Sequence, residues 1–166
     1  MQKKFSLLSL IFLFTSLVAS AQFRDAALGI RLSPDGAGFT GKYFTSPNQA
    51  VEAQINGGGV FAYEGESVIA VFLIEGYQDL APQWRGFLGG GGHVGSWDRE
   101  LDRSRFALGL DGIIGIEHML KDAPVAFSLD FKPAINFTPK LSYFPHNSIG
   151  LAVRYYFSKS LFRAQR

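Results

Sequence analysis

The sequence predicts an all-β chain that closes into an eight-stranded antiparallel up-and-down transmembrane β-barrel. Three observations predict it. In residues 148–157, Ile149, Leu151, Val153, Tyr155 and Phe157 fall on one face at period two, and Ser148, Gly150, Ala152, Arg154 and Tyr156 fall on the other. A continuous apolar row ending in aromatics, backed by a small and charged row, suits a strand with lipid on one side and a narrow lumen on the other. Nineteen glycines and sixteen phenylalanines, with few helix-favouring runs, point the same way. Turn signals then cut the chain beyond residue 21 into about eight segments of roughly ten residues, the length a tilted strand needs to cross a bilayer.

The first segment, residues 24–33, places Ala26, Leu28, Ile30 and Leu32 opposite Arg31, and Ser33-Pro34-Asp35-Gly36 turns the chain. The second, residues 38–45, sets Phe39 and Tyr43 against Thr40 and Lys42, before the turn at Ser46-Pro47-Asn48. The third, residues 50–60, alternates most cleanly, with Val51, Ala53 and Ile55 against Glu52, Gln54 and Asn56. A loop carrying Tyr63, Glu64 and Glu66 leads to the fourth, residues 67–77. Its stretch from Val68 through Ile74 is apolar on both faces, so part of the interior is expected to be dry.

The fifth segment, residues 83–95, puts Trp84, Leu88 and Val94 outward and Arg85, Phe87 and His93 inward. Its run from Gly89 through Gly92 leaves room for bulky neighbours. After a charged loop at residues 98–103, the sixth, residues 105–118, sets Phe106, Leu108, Leu110, Ile114 and Ile116 against Asp111 and Glu117. Lys121-Asp122-Ala123-Pro124 turns into the seventh, residues 125–136, where Val125, Phe127, Leu129 and Phe131 oppose Ser128, Asp130 and Lys132. Pro133 has no N–H for the ladder, so a bulge is expected there. Residues 138–147 form the last loop before the closing strand.

Ahead of the barrel, Lys3 and Lys4 precede an apolar run over residues 5–18 and an A-x-A site at Ala19-Ser20-Ala21. This is the pattern of a cleaved signal peptide, residues 1–21, leaving Gln22 first. Residues 22–157 then make the barrel and residues 158–166 a short periplasmic tail. The chain has no cysteine, which excludes disulfides and a lipid anchor through that residue. Removing Lys3 and Lys4 leaves fourteen basic residues against fourteen acidic ones, so the charge balance gives no support for nucleic-acid binding. Beyond the signal no apolar run reaches about 18 residues, which disfavours a helical membrane protein.

Three stretches, Gly89-Gly90-Gly91-Gly92-His93-Val94-Gly95-Ser96-Trp97-Asp98, Gly109-Leu110-Asp111-Gly112-Ile113-Ile114-Gly115-Ile116-Glu117 and Ser128-Leu129-Asp130-Phe131-Lys132-Pro133, carry a resemblance. The chain resembles the small eight-stranded outer-membrane barrels, the class of the OmpA transmembrane domain and OmpX, and more closely the short outer-membrane β-barrel proteins. The likeness implies a scaffold and no activity. It implies an outer-membrane location, contact with outer-membrane lipid, and recognition of residues 148–157 by the outer-membrane assembly machinery. Short turns are expected on the periplasmic side and the loop at residues 98–103 outside, where it is a candidate for an extracellular partner. The expected form is a monomer.

On the inward positions the pattern collects Arg31, Lys42, Arg85, Lys132 and Arg154 with Glu52, Glu75, Asp111, Glu117 and Asp130. An eight-stranded interior is only wide enough for side chains, so these charges must pair or carry a cost of several kcal/mol each. A salt-bridged plug is the expected reading, with an ion or proton path as its functional competitor. His93 is expected to bond to a carboxylate such as Asp111. Gly90-x-Gly92-x-x-Gly95 matches the dinucleotide fingerprint in letters but lacks the following helix that fingerprint needs.

His146-Asn147-Ser148 supplies the one nucleophile candidate. The pair resembles the one with which some eight-stranded outer-membrane barrels, using a His-x-Ser pair and a later Glu, remove acyl chains from lipid A, but here no acidic residue follows Asp130 to orient the histidine. Three scattered histidines and no cysteine point to no metal, and no cofactor is expected. Tyr43, Trp84, Trp97, Tyr155 and Phe157 read as interfacial girdle. The expected role is structural or surface interaction, without catalysis. The alternatives are a lipid A-modifying hydrolase using His146 and Ser148, and a soluble lipocalin-like exported binder.

Overall fold

The computed structural model describes residues 25–34, 36–58, 67–97, 105–138, 142–144 and 149–157. Residues 1–21, expected as a signal peptide, the loop at residues 98–103, His146, Ser148 and residues 158–166, expected as a tail, lie outside them. Ten strand segments build the wall: β1 (Ala26–Ser33), β2 (Gly36–Ser46), β3 (Gln49–Gly58), β4 (Ser67–Ala81), β5 (Trp84–Trp97), β6 (Arg105–Met119), β7 (Val125–Phe131), β8 (Ala134–Thr138), β9 (Ser142–Phe144) and β10 (Ile149–Tyr156). Every pairing is antiparallel, and β1–β10 together with β5–β6 close the sheet.

The ten segments make eight staves. The lower part of β6 pairs with β7 and its upper part with β8, so β7 and β8 are one stave interrupted at Lys132 and Pro133. Pro133 cannot donate to the ladder, but its carbonyl still accepts the Gly112 N–H at 2.9 Å. The seventh strand, expected as one run, is therefore broken where the imide falls. In the same way β9 pairs with β8 as β10 pairs with β7, so they share the eighth stave. The short β9 lies inside the stretch expected to be loop. β4 and β5 run past the expected C-terminal ends at Tyr77 and Gly95, to Ala81 and Trp97.

The stagger follows from the register. From Arg31 the pairs run through Gly38, Asn56, Ile69 and Gly95 to Ala107 on β6. In the other direction they run through Ala152 and Ser128 to Glu117, also on β6 and ten residues from Ala107 (117 − 107). Eight staves with a shear of ten tilt by about 40° and enclose a radius of roughly 8 Å, a space for side chains only.

Period two then sorts the residues by side. Outward positions are apolar and exposed, among them Phe39 at 74%, Ile74 at 70% and Leu88 at 65%. Inward positions hold buried charges and amides. A water-soluble barrel of this size would show the opposite distribution. β4 keeps Val71 and Leu73 buried inside and Phe72 and Ile74 exposed outside, which accounts for its apolar character on both faces.

Candidate functional site

The two ends of the lumen differ. The connections at residues 46–48, 82–83 and 120–124 and both ends of the barrel lie on one side, the turn end. There Phe44, Tyr77, Phe87, Met119 and Tyr156 pack as a buried cluster, with Tyr77 5.4 Å from both Phe44 and Phe87 and Phe44 5.7 Å from Tyr156 between ring centres. Two cations stack on these rings. Lys42 Nζ sits 4.3 Å from the Phe87 centroid, and the Arg85 guanidinium 4.5 Å from that of Tyr77. Arg85 also donates to the Pro47 carbonyl at 2.5 Å and approaches Asp79 at 3.2 Å, tying the β2–β3 turn across the opening.

With these two cations, all eleven inward residues singled out from the sequence are buried: Arg31, Lys42, Glu52, Glu75, Arg85, His93, Asp111, Glu117, Asp130, Lys132 and Arg154. Glu52 is the hub. Its Oε1 accepts from Arg154 Nη2 at 2.7 Å and from the Thr40 hydroxyl, and its Oε2 lies 3.4 Å from Lys42 Nζ. Lys42 donates to Glu75 at 2.6 Å and to the Tyr77 hydroxyl at 2.5 Å, and Tyr77 donates to Glu75 at 2.9 Å. Arg154 further donates to Ser128 at 2.6 Å and lies 3.8 Å from Glu117, which accepts from the Tyr156 hydroxyl at 2.6 Å.

Toward the other end, the loop end, Arg31 holds Asp130 through Nε at 3.2 Å and Nη2 at 2.5 Å. Lys132 crosses to Gln54 Oε1 at 2.8 Å. His93 is clamped between Asp111, 2.8 Å from Nδ1, and Asn136, 2.6 Å from Nε2. Both partners are acceptors or amides, so this dyad has no nucleophile to activate.

Inward glycines seat these side chains. A Cβ at Gly150 would occupy the place of the Arg31 guanidinium, one at Gly29 would meet Arg154 Cγ at 2.8 Å, and one at Gly109 would strike the His93 ring. Glycine is needed there for close approach rather than for an unusual φ. Among the described residues no group of three or more His, Asp or Glu side chains is placed to hold a metal ion.

Outside the wall at the turn end, Tyr43, Trp84, Tyr155 and Phe157 are exposed, and the His118 ring stacks 4.5 Å from Trp84. Sequence reasoning put Thr40, Gln54, Ser128 and Tyr156 on the inward face without giving them a part in the network, and it did not single out Tyr77 and Asn136. Alternation sorts such residues to the inside, but it does not choose their partners.

No family model matches the chain, and the comparison with curated proteins gives no match. Among solved structures the chain is similar to Neisserial surface protein A (NspA), at 16% identity and a TM-score of 0.47, over 80% of this chain and 94% of that one. At that identity the likeness concerns the chain trace and assigns no activity.

Proposed function

We propose that the chain is an integral barrel of the outer membrane, with a structural or surface-interaction role and a lumen closed by its ion pairs and aromatic plug. The observation that carries this reading is the inverted distribution of polarity. The outer wall exposes Phe39, Phe72, Ile74, Leu88, Leu110 and Leu151, each by more than half of its surface, while the charges are inside. Leaving such a wall in water would expose far more contiguous apolar area than a soluble monomer tolerates. In hydrocarbon the same wall needs no covering, and closure leaves no unpaired strand edge. Neighbouring staves supply the hydrogen bonds and the network supplies countercharges, so neither conduction nor catalysis is assigned to the lumen.

Spin labels at Leu151, Val153 and Ile114 test this. Quenching by lipid-dissolved oxygen and protection from water-borne quenchers are expected. The reverse pattern would refute membrane insertion and favour a soluble, lipocalin-like barrel. Reconstitution in planar bilayers tests closure, with no steady conductance expected.

A further inference from the structure

Glu52 and Glu75 are diagonal neighbours on adjacent strands, since Glu52 pairs with Leu73 and Glu75 with Ala50. Long side chains on one face reach each other across such a diagonal. Both carboxyl groups converge on one ammonium, Lys42 Nζ, at 3.4 and 2.6 Å, and all three side chains are fully buried. The two carboxyl groups also share a hydrogen bond with each other. A carboxylate only accepts, so a bond between two carboxyl groups contains a proton. Turning either group exchanges one acceptor for another and supplies no donor.

The surrounding bonds say where that proton rests. Glu75 Oε2 already accepts from Lys42 at 2.6 Å and from the Tyr77 hydroxyl at 2.9 Å. Its Oε1 is buried and receives no donor among the described residues. The same holds for Glu52 Oε2, which Lys42 approaches only at 3.4 Å, while Glu52 Oε1 is taken by Arg154 and Thr40. A proton on Glu75 Oε1, donated to Glu52 Oε2, satisfies both oxygens at once. Charge points the same way. Glu52 meets two cations, Lys42 from β2 and Arg154 from β10, whereas Glu75 meets Lys42 alone. Glu117 of β6 draws on Arg154 as well, and Arg85 of β5 spends its guanidinium on the Pro47 carbonyl and Asp79. Tyr77 and Tyr156 act as donors, to Glu75 and Glu117. Side by side in a dry lumen two carboxylates cannot both ionise without a large cost, and the one with fewer countercharges takes the proton.

We propose that the turn-side lumen is a proton-binding site, in which Glu75 at neutral pH is a carboxylic acid donating from Oε1 to the Glu52 carboxylate. The site rests on the barrel lumen and not on the membrane assignment, so its failure would leave the spin-label result untouched. A held proton implies no path across the barrel.

Above the ordinary carboxyl range the folded chain then binds one proton more than the unfolded chain, so stability falls as pH rises toward neutrality. Glu75→Gln imitates the acid, its amide N–H donating to Glu52 and its carbonyl accepting from Lys42. In urea unfolding of the full chain refolded in micelles, this variant should match the wild type at about pH 4 to 5. Toward neutrality its unfolding constant should drop relative to the wild type by about tenfold per pH unit. Infrared spectra of the wild type at neutral pH should contain a protonated-carboxyl band. The band should vanish in Glu75→Gln and also in Glu52→Gln, where Glu75 loses its charged acceptor and ionises against Lys42. If Glu75→Gln does not fold, the band in the wild type and its loss in Glu52→Gln carry the test. A wild type without the band, a band that survives in Glu52→Gln, or a Glu75→Gln midpoint below the wild type at neutral pH would overturn the proposal.

Discussion

Glu52→Gln removes one charge from the centre of the lumen and leaves the side-chain shape unchanged. Glu52 is fully buried and serves Arg154 at 2.7 Å, Lys42 at 3.4 Å and the Thr40 hydroxyl. Breaking a buried pair from one side costs about 3–5 kcal/mol, because the remaining charge stays buried. Both cations keep a second carboxylate here, Lys42 with Glu75 at 2.6 Å and Arg154 with Glu117 at 3.8 Å. The lower end, about 3 kcal/mol, is therefore expected. With a urea slope of about 2 kcal/mol per molar, the unfolding midpoint of the refolded barrel in micelles should fall by roughly 1.5 M.

Tryptophan fluorescence from Trp84 and Trp97 reads the transition. The paired variant Glu52→Leu with Arg154→Met removes both charges and should recover at least half of the loss, since apolar replacement of an ion pair is often nearly neutral. A single-variant midpoint within about 0.25 M of the wild type, or less than ~0.5 kcal/mol, would put Glu52 on the scale of a surface residue. That result would refute a dry, paired lumen.

Other perturbations separate inside from outside. Gly29→Val should cost 3 kcal/mol or thereabouts, or prevent folding, because its Cβ meets Arg154 and backbone, while Gly76→Ala, whose Cβ meets only Leu88 O at 3.8 Å, should be neutral in the same urea assay. Gln83 follows Pro82 with φ at 70°, the left-handed position of a type II turn, so Gln83→Gly should stabilise by about 1 kcal/mol and raise the midpoint. Leu88→Arg on the exposed wall should destabilise the reconstituted barrel by about 2–4 kcal/mol in lipid if that position lies at mid-bilayer. Ser148→Ala should leave lipid A acylation unchanged; a gain of acyl chains in that strain would instead reveal a hydrolase.

Alternation is a local property, and it was readable residue by residue. Because β-carbons switch sides at every step, the letters around Glu52, Arg85 or Arg154 already say that these charges share a face, and that Leu88 and Leu151 take the other. The turn chemistry at Pro47 and Pro82 likewise marks where the wall reverses. Partnership is not local. Arg31 and Asp130 are 99 positions apart, and Arg154 reaches Thr40 across 114. Those meetings exist because eight tilted staves close with a ten-residue stagger, which brings distant residues to one height. The same closure decided that Gly150 lies under a guanidinium, that Tyr77 and Tyr156 cap the turn end, and that Gln54 ends up beside Lys132. A single strand contains no information about stagger, since shear is a property of the ring and appears only when the last strand pairs with the first.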